Sequence, residues 1–194
     1  MTALRNIVLV LAVPFAIGAS DPVPASYPRN VVATDTDCPR QLGAQEGAPR
    51  FSDYPAPRRA AHYVAPQLSS RQVVAHRSTL GAEAANGPNF AGNFTVAAWG
   101  CGYSCSAAAV VNLVNGRVAF PNELRRISTR YVRDWVSDRP LRYRGMRFNP
   151  NSRLLIVIGS ATGDETDESA VFYEWTGGGL RYLETVPRSR LCPA

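Results

Sequence analysis

The chain has 194 residues, a formal net charge of +6, and 21 basic residues that are all arginine. With no lysine it offers no lysine nucleophile, no Schiff-base amine and no lysine for a phosphate loop. A GC-rich coding bias accounts for the arginines, and the modest positive charge is no more than a hint of anionic partners.

Residues 1–19 have the order of a secretory signal. One positive charge, Arg5, precedes a 13-residue apolar run over 7–19 that closes on Ile17-Gly18-Ala19. A helix needs roughly 20 apolar residues to span a bilayer, so export is expected rather than an anchor. No later segment is apolar enough to cross a membrane either. Cleavage after Ala19 leaves about 175 residues, enough for one domain with its own core. Residues 20–66 hold eight prolines and no steady hydrophobic period, a composition that reads as an extended or disordered linker.

Over 68–85, Val73, Val74, Arg77, Leu80, Gly81 and Ala84 recur at helical spacing. Ser69 or Ser70 can cap the helix, and Asn86-Gly87 stops it ahead of Pro88. The period then changes to two. Strands are predicted over 93–99 and 106–114, the second joined to 117–120 by an Asn115-Gly116 turn. Further strands are expected at 142–148 and at 154–159 (LLIVIG, the central one). A hairpin of 171–175 and 180–186 closes about Thr176-Gly177-Gly178-Gly179. The fold expected is α+β over 67–194: one N-terminal helix packed on an antiparallel β-meander of about six or seven strands, stapled by disulfides. The turn-and-strand rhythm resembles propeller blades, but about 120 residues cannot supply four blades of roughly 40 each.

The most distinctive passage is GPNFAGNFTVAAWGCGYSC, residues 87–105. Gly87 and Gly92 have the spacing of a phosphate loop, but Asn93 and Phe94 stand where Lys and Ser/Thr are required, and a strand follows where a helix is needed. Asn93-Phe94-Thr95 is a glycosylation sequon, relevant only in a eukaryotic secretory pathway. Cys101 and Cys105 are placed to face each other across a three-residue hairpin loop, at a separation a disulfide tolerates. A zinc site would need two further ligands, and the chain has only His62 and His76. The remaining pair, Cys38 and Cys192, is then left to tie the linker to the C-terminus. Asp164, Glu165, Asp167 and Glu168 in GDETDES read as a solvated loop, with spacing unlike a calcium-binding loop. No cofactor or metal motif is present, and neither histidine lies in a nucleophile motif.

The chemistry-bearing surface expected from sequence is the 125–153 region, with nine arginines against Asp134 and Asp138. Arg125, Arg126, Arg130, Arg133, Arg142, Arg144 and Arg147, interleaved with Trp135 and Tyr143, can grip phosphate, sulfate or carboxylate while stacking on planar groups. Alternating arginines also protect a strand edge from aggregation, which is the bland alternative.

GPNFAGNFTVAAWGCGYSC, together with NSRLLIVIG and FYEWTGGGLRYLE, resembles a group of small exported bacterial proteins with the motif GPNFAG-x-[YF]-x-x-x-x-WGCG-x-x-C. The resemblance covers roughly residues 68–186 and implies compartment and fold, not an activity. A histidine common in that group is replaced here by Asn93, so no role of that histidine carries over.

The function expected is an exported, periplasmic or secreted binding protein for an anionic envelope polymer or an acidic protein surface. One alternative is a small hydrolase or transferase with its site around Asn89, Asn93 and Tyr103. The other is an inhibitor of a cell-wall enzyme.

Overall fold

The structure is a computed structural model, and it describes residues 48–128, 145–159 and 169–187. The expected signal segment, Cys38, Cys192 and the GDETDES acids lie outside these residues, as do Arg130, Arg133, Trp135, Arg142, Tyr143 and Arg144.

The stretches read as strands carry strands, but Cys105–Asn112, Leu154–Gly159 and Ser169–Trp175 are buried along most or all of their length, and Phe94–Gly102 over residues 95–98, instead of alternating. Among the described residues the strands divide into two four-stranded antiparallel sheets rather than one meander. In the first sheet β1 (Phe94–Gly102) pairs with β2 (Cys105–Asn112). The other edge of β2 carries two short strands, β3 (Val118–Ala119) near one end and β4 (Ile127–Ser128) near the other. The second sheet is a meander: β5 (Met146–Arg147), β6 (Leu154–Gly159), β7 (Ser169–Trp175) and β8 (Leu180–Pro187).

Strands apolar at both parities can be buried on both faces, and the core shows that this happens in each sheet. Val96, Ala98, Ala108 and Val110 of the first sheet face Leu155, Val157, Val171, Tyr173 and Trp175 of the second. Phe90, Phe148, Leu124 and Ile127 fill the same layer. Alanines on β1 and β2 leave room for these large side chains, so bulk on one sheet meets small residues on the other. The opposite face of the first sheet, Ala97, Ala109 and Val111, receives Val73 and Leu80 from the helical segment. The opposite face of the second, Leu154, Ile156, Ile158, Ala170 and Phe172, is covered by Ala48, Phe51 and Tyr54.

The helical segment is two helices, α1 (Arg71–Ala75) and α2 (Arg77–Ala85), and not one. Ser70 caps α1 by accepting a hydrogen bond from the Val73 N–H at 3.2 Å. The break falls at His76 (φ −109°, ψ 14°), whose ring stacks on Trp99 with centroids 4.0 Å apart.

The largest departure from expectation lies in the proline-rich segment. After a 3-10 turn at Phe51–Asp53 the chain runs extended to residue 67, as the prolines favour, but residues 48–67 are fastened along their length as a strap. Ala56 N–H donates to the Asn151 carbonyl, Val64 N–H to Leu113 and Gln67 N–H to Gly116. Two glycines lie beneath the strap at positive φ, Gly92 (+80°) and Gly116 (+73°). A Cβ would come within 2.5 Å of the Pro57 carbonyl oxygen at the first and of the Ala65 carbonyl oxygen at the second. Both positions therefore require glycine for conformation and for close approach. Composition alone misses this because the strap is held by backbone groups, which leave no side-chain period.

Candidate functional site

The passage 87–105 runs through a tight turn, the strand β1 and a hairpin loop into β2, and its two ends are unlike. At the start, Phe90 and Phe94 exchange backbone hydrogen bonds at 3.0 Å across a tight turn with Ala91 and Gly92 at positive φ. That turn docks on the Asn149–Ser152 turn of the other sheet: Gly92 N–H donates to the Pro150 carbonyl at 2.8 Å and Ala91 N–H to the Ser152 carbonyl at 3.2 Å. Asn89 pairs with the Val96 backbone on both sides, accepting from its N–H at 2.8 Å and donating to its carbonyl at 3.1 Å. Asn93 does the same to the strap, accepting from Ala60 N–H at 2.6 Å and donating to the Arg58 carbonyl at 3.1 Å. Each amide thus imitates a strand partner, and its polar atoms are already engaged.

At the far end, Cys101 and Cys105 form a disulfide with Cα atoms 5.1 Å apart. The register differs from the one expected: Gly102 stands opposite Cys105, Gly100 opposite Ser106, and Cys101 is the extra residue between them. The loop is therefore two residues, Tyr103 and Ser104, and Ser104 has φ of +48°. Tyr103 is 93% exposed. Asn93 and Tyr103 stand ten positions apart along mostly extended chain, roughly 30 Å at the usual strand rise. The structure therefore does not bring Asn89, Asn93 and Tyr103 together.

The described arginines of the 125–153 region have three different fates. Arg125 and Arg126 are exposed where the 3-10 turn Asn122–Leu124 leads into β4. Arg147 is instead buried on β5, its Nη1 donating to the Met146 carbonyl at 2.9 Å, which takes it out of any contact surface. Arg153 is half-buried; its Nε donates to the Pro55 carbonyl at 3.2 Å and its Nη1 to Glu174. Glu174, itself buried, is also paired with Arg181 of β8. The hydrogen bond and charge of Glu174 raise Arg181 above its already high ordinary pKa, so it stays cationic. Sequence reasoning missed this clamp, although a glutamate inside the apolar run VFYEW was its signal: a buried carboxylate needs cationic partners.

Between the sheets, burial raises the Tyr173 phenol above its ordinary value, assisted by the charges of Glu123 and then Tyr182. Among the described residues no three His, Cys, Asp or Glu side chains are grouped to hold a metal, and no helix is long and apolar enough to cross a membrane. No protein-family model matches the chain, and comparison with curated proteins and with solved structures returned no match.

Proposed function

We propose that this is an exported binding module of the cell envelope that holds an anionic partner through the exposed arginines Arg125 and Arg126 of the 125–153 region. The observation that carries this reading is the exposure of Arg125 and Arg126 on the rim of the first sheet, where neither makes an ion pair among the described residues. With no carboxylate paired to them among the described residues, these side chains can take a phosphate, sulfate or carboxylate from outside. The signal-like residues 1–19 and the Cys101–Cys105 disulfide fit an oxidising compartment, periplasmic or secreted. The fold that goes with this reading is α+β, with the N-terminal helical segment covering one sheet, and the resemblance to exported bacterial proteins with the WGCG-x-x-C motif points to the same compartment.

The test is retention on a heparin column as a function of salt. Wild-type protein is expected to bind, with affinity falling steeply as salt rises. In the double variant Arg125→Gln/Arg126→Gln the logarithmic salt slope drops by about one per arginine removed. Retention that ignores both salt and the substitutions overturns the proposal.

A further inference from the structure

The most exposed large hydrophobic side chain among the described residues is Tyr103, at 93% against 59% for the next, Tyr182. It also sits in a tightly framed loop. Its two-residue loop is closed by the Gly102–Cys105 pair and by the Cys101–Cys105 disulfide. A covalent bridge spanning five residues cannot organise two sheets; what it organises is the shape of the tip. On one side the stem is supported by β4, where Ser128 stands opposite Cys105 and Ile127 opposite Ser106. The chain preceding β4 runs back from the tip, which places Arg126 and Arg125 within roughly 10–15 Å of the tip along the strand direction.

We propose that this tip is an anchor for a protein partner: Tyr103 enters a concave apolar pocket, and Arg125 and Arg126 pair with carboxylates on that pocket's rim. The inference rests on the binding reading above and narrows its partner from any polyanion to an acidic protein cleft. Shape decides between the two. A flexible polyanion binds along a cationic groove, and a nucleic acid stacks successive bases on several aromatics along it, so a single aromatic on a convex tip adds little to either contact. A single rigid aromatic on a convex finger gains its area only when a pocket closes around it. The disulfide removes the ordering cost of the loop before binding, and tyrosine brings large contact area with only two side-chain torsions to fix.

A benzophenone amino acid placed at position 103 in cells that produce the protein, with positions 114 and 182 as exposed controls, tests this directly. The expected result is a discrete protein adduct at 103 alone, reduced at least tenfold by Arg125→Gln/Arg126→Gln and by Cys101→Ser/Cys105→Ser. With the adducted protein then purified, Tyr103→Ala is expected to weaken its binding roughly 10- to 100-fold while leaving the thermal midpoint and heparin retention at wild-type values. The inference is overturned by no adduct at 103, by equal adducts at 114 and 182, or by an adduct degraded by nuclease or glycosidase. It is overturned equally if Tyr103→Ala lowers heparin retention as much as the arginine pair does, an outcome that leaves the polyanion reading standing. Salt-insensitive heparin retention with an intact 103 adduct overturns the arginine reading and leaves the tip.

Discussion

The two ends of β1 are held by opposite means. At Phe94 the strand enters from a turn that is buried, hydrogen-bonded to the other sheet and crossed by the strap. At Gly102 it leaves into a tip that is exposed and joined mainly to its own hairpin by a disulfide. The first end has the side-chain amides of Asn89 and Asn93 engaged with backbone and Gly92 pressed against the Pro57 carbonyl. The second has a tyrosine in solvent and two arginines nearby. A motif that runs through both ends is built as scaffold in one half and, on the proposed reading, as contact surface in the other.

Substitutions at the two ends should separate these roles. The largest effect is expected at the buried end, where Phe90 lies against Phe148 and Trp175 with ring centroids 5.8 and 6.2 Å apart. Phe90→Ala should cost about 3–5 kcal/mol in urea unfolding, because the two sheets cannot collapse into the space left. A loss below about 1 kcal/mol would mean that the sheets are free to close over the gap. Gly92→Ala comes next, at about 2–3 kcal/mol, from a strained left-handed residue pressed against the Pro57 carbonyl. Protease cutting within 48–67 should rise with it, since the strap must lift to admit the methyl group.

At the exposed end, Cys101→Ser/Cys105→Ser should cost about 2 kcal/mol or less, because a loop this short loses little entropy on closure. The same change should lower partner binding far more than it lowers stability; equal losses would make the staple a structural element like the other end. The smallest effect concerns the layer between the sheets. The unfolded Tyr173 phenol loses its proton near pH 10, while the folded one holds it to higher pH. Its share of stability is therefore intact below about pH 10 and is lost as pH climbs toward the folded value. Urea midpoints taken at about pH 9 and pH 11 should fall less in Tyr173→Phe than in wild type.

Local chemistry was legible in the residues themselves. The LLIVIG strand, the hairpin around Gly177–Gly179, the cap at Ser69 or Ser70 and the Cys101–Cys105 bridge each depend on a few adjacent residues, and each is present; the turn expected at Asn115-Gly116 is instead a four-residue connection over 113–116, with Asn112 opposite Arg117. The fate of the arginines was not legible: Arg125, Arg147 and Arg153 look alike in sequence, yet one is exposed, one buried and one clamped to Glu174. Burial of a side chain is set by what packs over it, and for Arg153 that includes Pro55, 98 residues away.

By itself the sequence determined the long strands β1, β2, β6, β7 and β8 and the meeting of Cys101 with Cys105, because those choices rest on backbone propensity and neighbours within a few positions; the short strand β4 carried no such signal. Only the tertiary structure decided that the strands split into two sheets and that a proline-rich segment is a strap across both. Strands apolar on both faces carry no period to name their partner, and backbone hydrogen bonds carry no side-chain signature. For the same reason the tertiary structure alone separated the buried turn at Phe90 from the exposed tip at Tyr103.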